Sequence, residues 1–356
     1  MNFEKAKVYR YDFQLNRPLI LKGEEYHTRS GLILRVGDDE LFGLGEIAPL
    51  PGFSEETLEQ ATAQLFEILN EYKSKPLGNI AEVTQNLLPS VAFGIETALI
   101  SYSANAKQFS FSSLVNRDAK PTVPLNGLLW GENVIERAEQ LVQAGYSTLK
   151  LKIGQQPLDD DLKLIENLFK IIDRDNLLRL DANRAYDYNS ALRLIDYAKA
   201  KPIEYIEEPF ASLDDLKKYL SSGENPGLIA LDESLREVNL SEKIEFKKAG
   251  AIVLKPTMTG YLKSMALASQ AFHNEQKVII SSSFESALGL YHLASMGAII
   301  NSDKFDYAAG LDTYDWFEEN LFDFSKYISG GCFNLSHAFE CYSQIDWSRL
   351  REVEHA

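Results

Sequence analysis

Residues 177–181 read LLRLD, and the same form recurs as IEYIE at 203–207, LIALD at 228–232 and AIVLK at 251–255. Each run is mostly apolar and ends in a charged side chain, in order Asp181, Glu207, Asp232 and Lys255. The runs follow one another at intervals of about 25 residues, the length of one strand, one helix and two loops. Because parallel strands joined by helices point the same way, the four charges are expected at one rim of a sheet.

The same alternation extends to both sides of these runs. Strands are predicted at 122–129, 148–153, 177–181, 203–207, 227–232, 251–255, 277–282 and 305–309. Helices are predicted at 133–144, 158–172, 189–200, 211–221, near 240–248, 259–273 and 286–300. Eight strands alternating with helices predict an α/β fold in which a parallel sheet closes into a barrel.

The first part of the chain lacks this rhythm. Segments 6–15 and 31–36 alternate like antiparallel strands, and residues 31–47 are predicted to form a hairpin. A helix is predicted from an N-cap at Ser54 to about residue 72, and helical spacing returns from about 81 to 107. These elements indicate a separate α+β module.

The change of rhythm divides the chain into three parts. We expect the α+β module over residues 1–118 and the barrel over 119–314. The tail, 315–356, is rich in aromatic residues and is expected to pack on the first module or to cover the barrel base.

Bulk composition narrows the class of partner. The chain of 356 residues carries a net charge of −16, which argues against a nucleic-acid or anionic-membrane partner. Its two cysteines, Cys332 and Cys341, are too few for a disulfide framework and indicate a reducing cytosol. The first residues have no apolar signal core, and no run of about 18 apolar residues occurs. We therefore expect a cytoplasmic protein that has no membrane partner.

Two lysines share one face of the predicted strand at 148–153. Residues two apart on a strand point to the same side, so Lys150 and Lys152 are expected to face the barrel interior. The alternative is an exposed edge strand whose lysines are solvated. Burial and a second positive charge lower the pKa of a lysine, which would allow it to act as a general base.

Three carboxylates at successive strand ends predict a metal site. Bringing Asp181, Glu207 and Asp232 together is costly unless a cation lies between them. Oxygen donors suit Mg²⁺ or Mn²⁺. The alternative is that each residue only caps the helix that follows it. Lys255, across the barrel from the lysine pair, is a second acid–base group, a fixed cation near developing negative charge or a salt-bridge partner of one carboxylate.

No histidine falls on the predicted strand ends, which disfavours zinc. The five histidines lie in the first module, on helices or in the tail: His27, His273, His292, His337 and His355. A divalent cation and three lysines outweigh three carboxylates, so the interior is predicted to accept a small anionic carboxylate substrate. The metal would stabilise the enediolate left when such a substrate loses its α-proton.

Five short motifs in this order resemble the enolase superfamily, in its muconate-lactonizing subgroup. They are Lys150-x-Lys152, Asp181-Ala182-Asn183, Glu207-Glu208-Pro209, Asp232-Glu233-Ser234 and Lys255-Pro256-Thr257. The resemblance covers nearly the whole chain and implies a (β/α)7β TIM-type barrel with an α+β capping domain, which the C-terminal segment completes. It also implies that Asp181, Glu207 and Asp232 bind the metal, that Lys152 is the base and that Lys255 stands opposite, with Lys150 as a further catalytic residue.

Two loops resemble those of the o-succinylbenzoate synthase family. They read GEIAPLPGFS at 45–54 and SSSFESALGL at 281–290, the latter followed by GLDT at 310–313. Phe284 is bulkier than the aliphatic residue expected at its position. The resemblance implies substrate contacts from Ser281, Ser282, Ser283, Gly310, Asn183, Gly52 and Phe53. Backbone N–H groups of the serines and Gly310 would hold the succinyl carboxylate, unless the serines only cap their loop.

The reaction implied is dehydration of 2-succinyl-6-hydroxy-2,4-cyclohexadiene-1-carboxylate to o-succinylbenzoate, a step toward menaquinone. A racemase of N-acylamino acids or an epimerase of dipeptides would use the same metal and lysines, with Lys152 and Lys255 as two bases on opposite faces. Such enzymes usually have an acidic residue late in the barrel that grips an amino group, and Asp312 could be mistaken for it. A barrel that only binds a ligand is a third reading, but it would be expected to have lost one of the five key residues. The sequence leaves monomer and homo-oligomer equally open.

Overall fold

The computed structural model describes residues 2–172, 175–222, 226–237, 244–301, 306–336 and 338–354. Its strands are β1 Lys7–Leu21, β2 Glu24–Gly37, β3 Phe42–Ile47, β4 Thr122–Pro124, β5 Asn126–Leu129, β6 Thr148–Lys152, β7 Leu177–Asp181, β8 Ile203–Glu207, β9 Ile229–Leu231, β10 Ala251–Leu254, β11 Lys277–Ile280, β12 Ile328–Ser329, β13 Cys332–Asn334 and β14 Arg351–Val353. Its α-helices are α1 Leu58–Glu71, α2 Ile80–Thr84, α3 Pro89–Ala106, α4 Phe111–Val115, α5 Val134–Gln143, α6 Leu158–Leu168, α7 Tyr188–Ala198, α8 Leu213–Ser222, α9 Glu233–Glu237, α10 Tyr261–His273, α11 Ala287–Ile300 and α12 Ala338–Ser343.

The first module is an antiparallel sheet packed on helix α3. Its strand order is β14-β1-β2-β3, and the predicted hairpin over 31–47 is confirmed by the β2–β3 pairing. Strand β3 approaches α3 closely because it carries glycines. A Cβ at Gly43 would lie 2.2 Å from the Ala98 carbonyl oxygen, and one at Gly45 would lie 1.8 Å from that of Gly94. Larger residues at these two positions would separate the sheet from the helix.

Helix boundaries in this module differ from the prediction in two places. Helix α1 begins after Thr57, which forms a capping box with Gln60, whereas Ser54 binds the backbone N–H of Leu50. The N-cap predicted at Ser54 is therefore wrong. The segment predicted as helix from 81 to 107 is interrupted, and α3 begins at Pro89 because proline is favoured in the first helical turn.

The barrel is built from β5–β11, which form one parallel sheet in sequential order. The outward side chains of these strands are apolar and pack under the helices, with Leu149, Leu151 and Leu180 fully buried. Helix α11 is apolar on all sides and buried along its whole length, because it lies in the interior of the molecule.

The eighth barrel strand is reduced to two bridging residues. Of the stretch predicted as a strand at 305–309, the described part pairs only through Ala309, which bridges Leu125, while Gly310 bridges Ser281. These two bridges join the last parallel strand to the first and close the barrel. The predicted helix near 240–248 also differs, because its described part is the 3-10 helix Ile244–Lys248, and residues 238–243 lie outside the described ones.

The C-terminal tail serves both modules. Strand β12 pairs with β13, and β13 pairs with β4, in a small sheet just before the first barrel strand. Farther on, β14 pairs with β1 at the edge of the first sheet, with Val353 opposite Val8. The end of the tail therefore packs on the first module, and an earlier part of it contacts the segment that leads into the barrel.

Candidate active site

The predicted charged rim lies at the carboxyl ends of five consecutive strands, β6 to β10. Lys152 is in register with Asp181, and Asp181 with Glu207. Asp232 directly follows β9, and Lys255 directly follows β10. Because the strand order is sequential, the three carboxylates stand between Lys152 and Lys255 along the sheet.

Two ammonium groups bind the carboxylates at one end of this rim. Lys150 Nζ lies 2.8 Å from Asp181 Oδ2 and 2.7 Å from Glu207 Oε2. Lys152 Nζ lies 2.6 Å from the same Asp181 oxygen and 2.8 Å from Asn183 Oδ1. The reading of these lysines as solvated side chains on an exposed edge strand is therefore wrong. Lys150 is buried, whereas the side chain of Lys152 is 31% exposed and can meet a substrate.

The ion pairs reverse one electrostatic prediction. Burial lowers the pKa of Lys150, but Asp181 and Glu207 outweigh it and raise that pKa well above its usual value. The lowered pKa predicted for this lysine is therefore wrong in this arrangement. Burial opposes ionisation of Asp181, yet Lys150 and Lys152 lower its pKa. Burial and the adjacent charge of Asp181 raise the pKa of Glu207 to about 8.

The donor set fits a hard divalent cation. Glu207 Oε1 is buried and has no hydrogen-bond partner among the described residues, a costly state that a cation would relieve. Three carboxylates without a histidine suit Mg²⁺ or Mn²⁺ better than zinc. Within the described ranges, no group of three or more His, Cys, Asp or Glu side chains has the arrangement of a formed metal site. The facing oxygens of Asp181 and Glu207 contact Lys150 instead.

Glu208 organises the loop that carries the third carboxylate. Its side chain accepts hydrogen bonds from the backbone N–H groups of Asp232 and Ser234, at 2.9 and 2.8 Å, and from the Ser234 hydroxyl at 2.7 Å. Its backbone has a φ of +42°, a sharp turn that follows Glu207 directly. Sequence analysis assigned no role to Glu208, although a second glutamate at a strand end was a visible signal.

The far end of the rim is a second ion cluster. Lys255 Nζ lies 2.5 Å from Asp232 Oδ2, and Arg236 lies 2.8 Å from Asp232 Oδ1. Burial lowers the pKa of Lys255, but Asp232 outweighs it, so that pKa is raised. The salt bridge considered as the alternative role of Lys255 is thus formed.

The hydrogen-bond donors that remain unused in the serine loop are not the ones that were predicted. The backbone N–H of Ser281 donates to Leu254, that of Ser282 to Gly310 and that of Gly310 to Ile280. The Ser283 N–H donates to Glu285 at 2.7 Å. These four N–H groups are already engaged, so their predicted role in holding a carboxylate is wrong. The buried hydroxyl of Ser283, which has no partner in the described part of the chain, is the available donor.

The remaining predicted substrate residues fall into two places. Asn183 lies on the rim with a φ of +42°, and its side chain joins Lys152 to Glu233. Gly52 and Phe53 lie in the cap loop, where the Lys22 ammonium stands 5.2 Å from the Phe53 ring centroid. Among the described residues, no hydrogen bond or ring contact joins these two to the rim lysines.

The histidines described in the structure stand away from the rim. His27 pairs with Glu25, and His273 contacts the backbone of Ser269 on α10. His292 is buried on α11, where burial lowers its pKa to about 3. The other two, His337 and His355, lie outside the described residues.

Arg179 is a buried charge that sequence analysis overlooked. It precedes Asp181 by two residues on β7, and that spacing placed both on one face. Its guanidinium binds Glu204 at 2.7 Å, Asn126 at 3.0 Å and the Ala308 carbonyl at 2.7 Å. It therefore links its own strand β7 to β8, through Glu204, and to β5, through Asn126, below the rim.

Comparison with known proteins agrees with this architecture. Residues 133–338 match the family described as enolase C-terminal domain-like, and residues 3–102 match the one described as MenC, N-terminal domain. The chain belongs to the enolase superfamily, and the resemblance predicted from its motifs is confirmed. More particularly, it is similar to the o-succinylbenzoate synthase of Citrobacter koseri, at 33% identity over 86% of this chain and 90% of that protein. The synthase of Aliivibrio fischeri is 30% identical over 89% and 92%.

Solved structures share the fold at lower identity. The L-Ala-D/L-Glu epimerase from Bacillus subtilis superposes with a TM-score of 0.80 at 20% identity, covering 94% of this chain and 96% of that one. A muconate lactonizing enzyme from Pseudomonas fluorescens, solved with muconolactone, gives 0.76 at 21% identity and 94% coverage of both chains. At these identities the likeness shows a barrel with a capping domain and does not decide the substrate.

A search for membrane spans in the described residues finds no helix with the length and apolar character to cross a bilayer.

Proposed function

We propose that this enolase-superfamily enzyme is an o-succinylbenzoate synthase, a hydro-lyase that dehydrates 2-succinyl-6-hydroxy-2,4-cyclohexadiene-1-carboxylate. The observation that carries the proposal is the order of groups along the rim, where Asp181, Glu207 and Asp232 stand between the amines of Lys152 and Lys255. The identity to synthases over most of the chain favours this substrate among those that the superfamily accepts.

In this proposal Asp181, Glu207 and Asp232 hold Mg²⁺, with Mn²⁺ as an alternative. The free Glu207 oxygen supports the assignment. Bound there, the cation supplies positive charge where the substrate carboxylate gains negative charge as its α-proton leaves. Lys150 partly neutralises Asp181 and Glu207 and keeps both carboxylates in place.

Lys152 performs both proton transfers. Its neutral amine takes the proton from the carbon next to the ring carboxylate, and the C–H bond breaks. The resulting ammonium gives this proton to the departing hydroxyl, so that the C–O bond breaks and water leaves from the same face. Lys255 stays charged, because its contact with Asp232 raises its pKa, and it stabilises the ring from the other side.

The substrate's second carboxylate is proposed to meet the serine loop. Ser281, Ser282 and Ser283 with Gly310, which bridges Ser281, are proposed to form one wall of this subsite. The Ser283 hydroxyl, which lacks a partner among the described residues, supports a hydrogen bond to this carboxylate. Asn183 lies on the rim beside Lys152. Gly52 and Phe53 of the cap loop are proposed to cover the bound substrate.

The proposal extends to domain organisation and location. We place the cap over 1–118 and 315–356 and the barrel over 119–314, which the β1–β14 pairing supports for the end of the tail. We propose a cytoplasmic enzyme, since the chain has only two cysteines, too few for the disulfide framework of an oxidising compartment.

The direct test is an ultraviolet assay of cyclohexadiene conversion, with and without chelator. We expect aromatic product only when Mg²⁺ or Mn²⁺ is present, and full recovery when the metal is returned. Absence of conversion with metal present, under conditions in which an established synthase turns over, would contradict the proposal.

A racemase or epimerase is the second candidate, because two lysines on opposite sides of a substrate could exchange one proton from either face. Asp312, which would grip an amino group, is buried, and Oδ2 is held by the Leu128 N–H and Arg137. Its other oxygen has no partner in the described part of the chain. Incubation of N-succinyl amino acids or dipeptides in D₂O tests this candidate. Rapid deuterium uptake without dehydration of the cyclohexadiene would favour it over the synthase.

A further inference from the structure

Arg29 is a buried arginine whose hydrogen bonds all go to backbone carbonyls. Its side chain is almost fully enclosed, and its five donor contacts end on carbonyl oxygens. Among the described residues it has no carboxylate partner in hydrogen-bond or ion-pair contact. A buried guanidinium normally pairs with an anion. An arginine that donates all five N–H groups to carbonyl oxygens fixes the path of the backbone around it.

Four of these five carbonyls belong to two loops on different modules, and the fifth is that of Ser30, the next residue on the same strand. Two come from the start of the cap loop, Ala48 at 2.6 Å and Pro49 at 2.9 Å. Two come from the barrel loop, Phe284 at 3.0 Å and Ser283 at 3.4 Å. Arg29 itself lies on the cap strand β2. One side chain therefore joins the beginning of the 48–54 loop to the middle of the 281–286 loop.

The barrel loop needs such a support because of its backbone. Phe284 has a φ of +59°, a left-handed conformation that is unfavourable for a side chain of its size. Arg29 binds the carbonyls of Ser283 and Phe284. On the far side, Glu46 of the cap accepts from the Ser286 N–H at 2.9 Å. The two cap residues hold the strained turn from both sides.

We infer that Arg29 is a positioning residue, which sets the cap loop and the serine loop at a fixed separation and thereby shapes the site for the substrate's second carboxylate. The inference rests on the proposed function, in which the serines and the cap loop meet that end of the substrate. A lysine cannot replace the arginine, because a single ammonium with three donors cannot reach both pairs of carbonyls.

The test compares Arg29→Lys with Arg35→Lys. Arg35 lies on the same strand and is also buried. Among the described residues its side-chain hydrogen bonds go to the turn of its own hairpin, at Asp38 and Asp39, and its guanidinium lies over the rings of Phe42 and Trp347. For Arg29→Lys we expect KM for the cyclohexadiene to rise roughly tenfold while kcat falls less than about threefold, since remote binding is lost and the rim is intact. Arg35→Lys should leave both constants unchanged. Equal effects of the two variants, or an unchanged KM for Arg29→Lys, would overturn the inference.

Amide hydrogen exchange provides a readout that does not require turnover. In Arg29→Lys, exchange should accelerate in both 48–54 and 281–286, and in Arg35→Lys in neither. Acceleration confined to one loop would refute the coupling. If the wild-type enzyme lacks dehydration activity, the proposed function fails while this measurement still decides whether Arg29 couples the loops.

If Arg29→Lys does not fold, hydrogen exchange of the wild-type enzyme still tests the inference. With Mg²⁺ present, o-succinylbenzoate should slow exchange in 48–54 and 281–286 together, at the same product concentration. Protection of the barrel loop without the cap loop would overturn the inference.

Discussion

Two groups of charged side chains lie on the barrel strands, one at the rim and one just below it. In the lower group, Arg179, Glu204 and Lys277 satisfy one another, at 2.7 Å between Arg179 and Glu204 and 3.0 Å between Lys277 and Glu204. In the rim group, one buried oxygen of Glu207 has no partner within the part of the chain that the structure describes. Saturated ion pairs hold strands together, whereas an unsatisfied one marks a place where a further group can bind. This difference distinguishes the lower group, which has a structural role, from the rim group, which is the candidate metal site, without reference to any ligand.

The largest expected effect concerns the base. Lys152→Ala should reduce kcat by roughly 10³- to 10⁴-fold, because a positioned general base contributes up to about 10⁴-fold to rate. Metal and product binding should persist, as measured by calorimetry. Lys163→Ala, which removes an exposed lysine on α6, is the control. Unchanged turnover in Lys152→Ala would refute the assignment of the base.

The next effect tests the lower group. Glu204→Gln leaves Arg179 and Lys277 facing a neutral amide, so the free energy of unfolding should fall by about 3 kcal/mol. Urea denaturation of the metal-loaded protein measures it. The Kd for Mg²⁺ should stay within a factor of about two, well inside the tenfold that 1.4 kcal/mol represents. A large loss of metal affinity would show that the lower group is part of the site.

Glu207→Gln is the matched change at the rim, three residues later on the same strand. It should weaken Mg²⁺ binding by about 100-fold or more, since even residues that only support a metal ligand contribute 10–100-fold. Stability without metal should not fall, because the substitution removes a buried acid that is not fully paired. Calorimetric titration and denaturation of the same sample measure both. The comparison therefore requires that Glu204→Gln lowers stability but not Mg²⁺ affinity, and that Glu207→Gln lowers Mg²⁺ affinity but not stability.

The smallest effect is a pH dependence of the metal-free protein. The pKa of Glu207 is raised to about 8 by burial and by Asp181, above its value in the unfolded chain. A raised folded-state pKa stabilises the protein at low pH, and this contribution is lost as pH rises through about 8. With chelator present, the Tm of the wild type should therefore decline between about pH 5 and 9. Glu207→Gln should show a flatter profile, and equal slopes would contradict this cause.

The sequence predicted the rim well because its information is local. The period of about 25 residues placed Asp181, Glu207 and Asp232 at successive strand ends, and the strands at β6 to β8 were found within one residue. The capping box of Thr57 and Gln60 was equally local and was overlooked in favour of Ser54. The same holds for Arg179, which a strict period of two would have placed beside Asp181.

Other features depend on contacts that no local pattern contains. The pKa of Lys150 is set by two acids on neighbouring strands, so the charge of the lysine pair alone gave the wrong direction. The N–H groups of the serine loop are used by residues such as Leu254 and Gly310, which are distant in sequence. Arg29 binds the carbonyl of Phe284 in the barrel loop, which is 255 residues away in the sequence.

The pairing of β1 with β14 has a consequence for biosynthesis. Val8 leaves the ribosome early, but its partner Val353 is added hundreds of residues later. Until then the outer edge of β1 presents open backbone groups to any neighbouring polypeptide, a known route to aggregation. A nascent chain stalled before residue 351 would carry that edge without its partner strand.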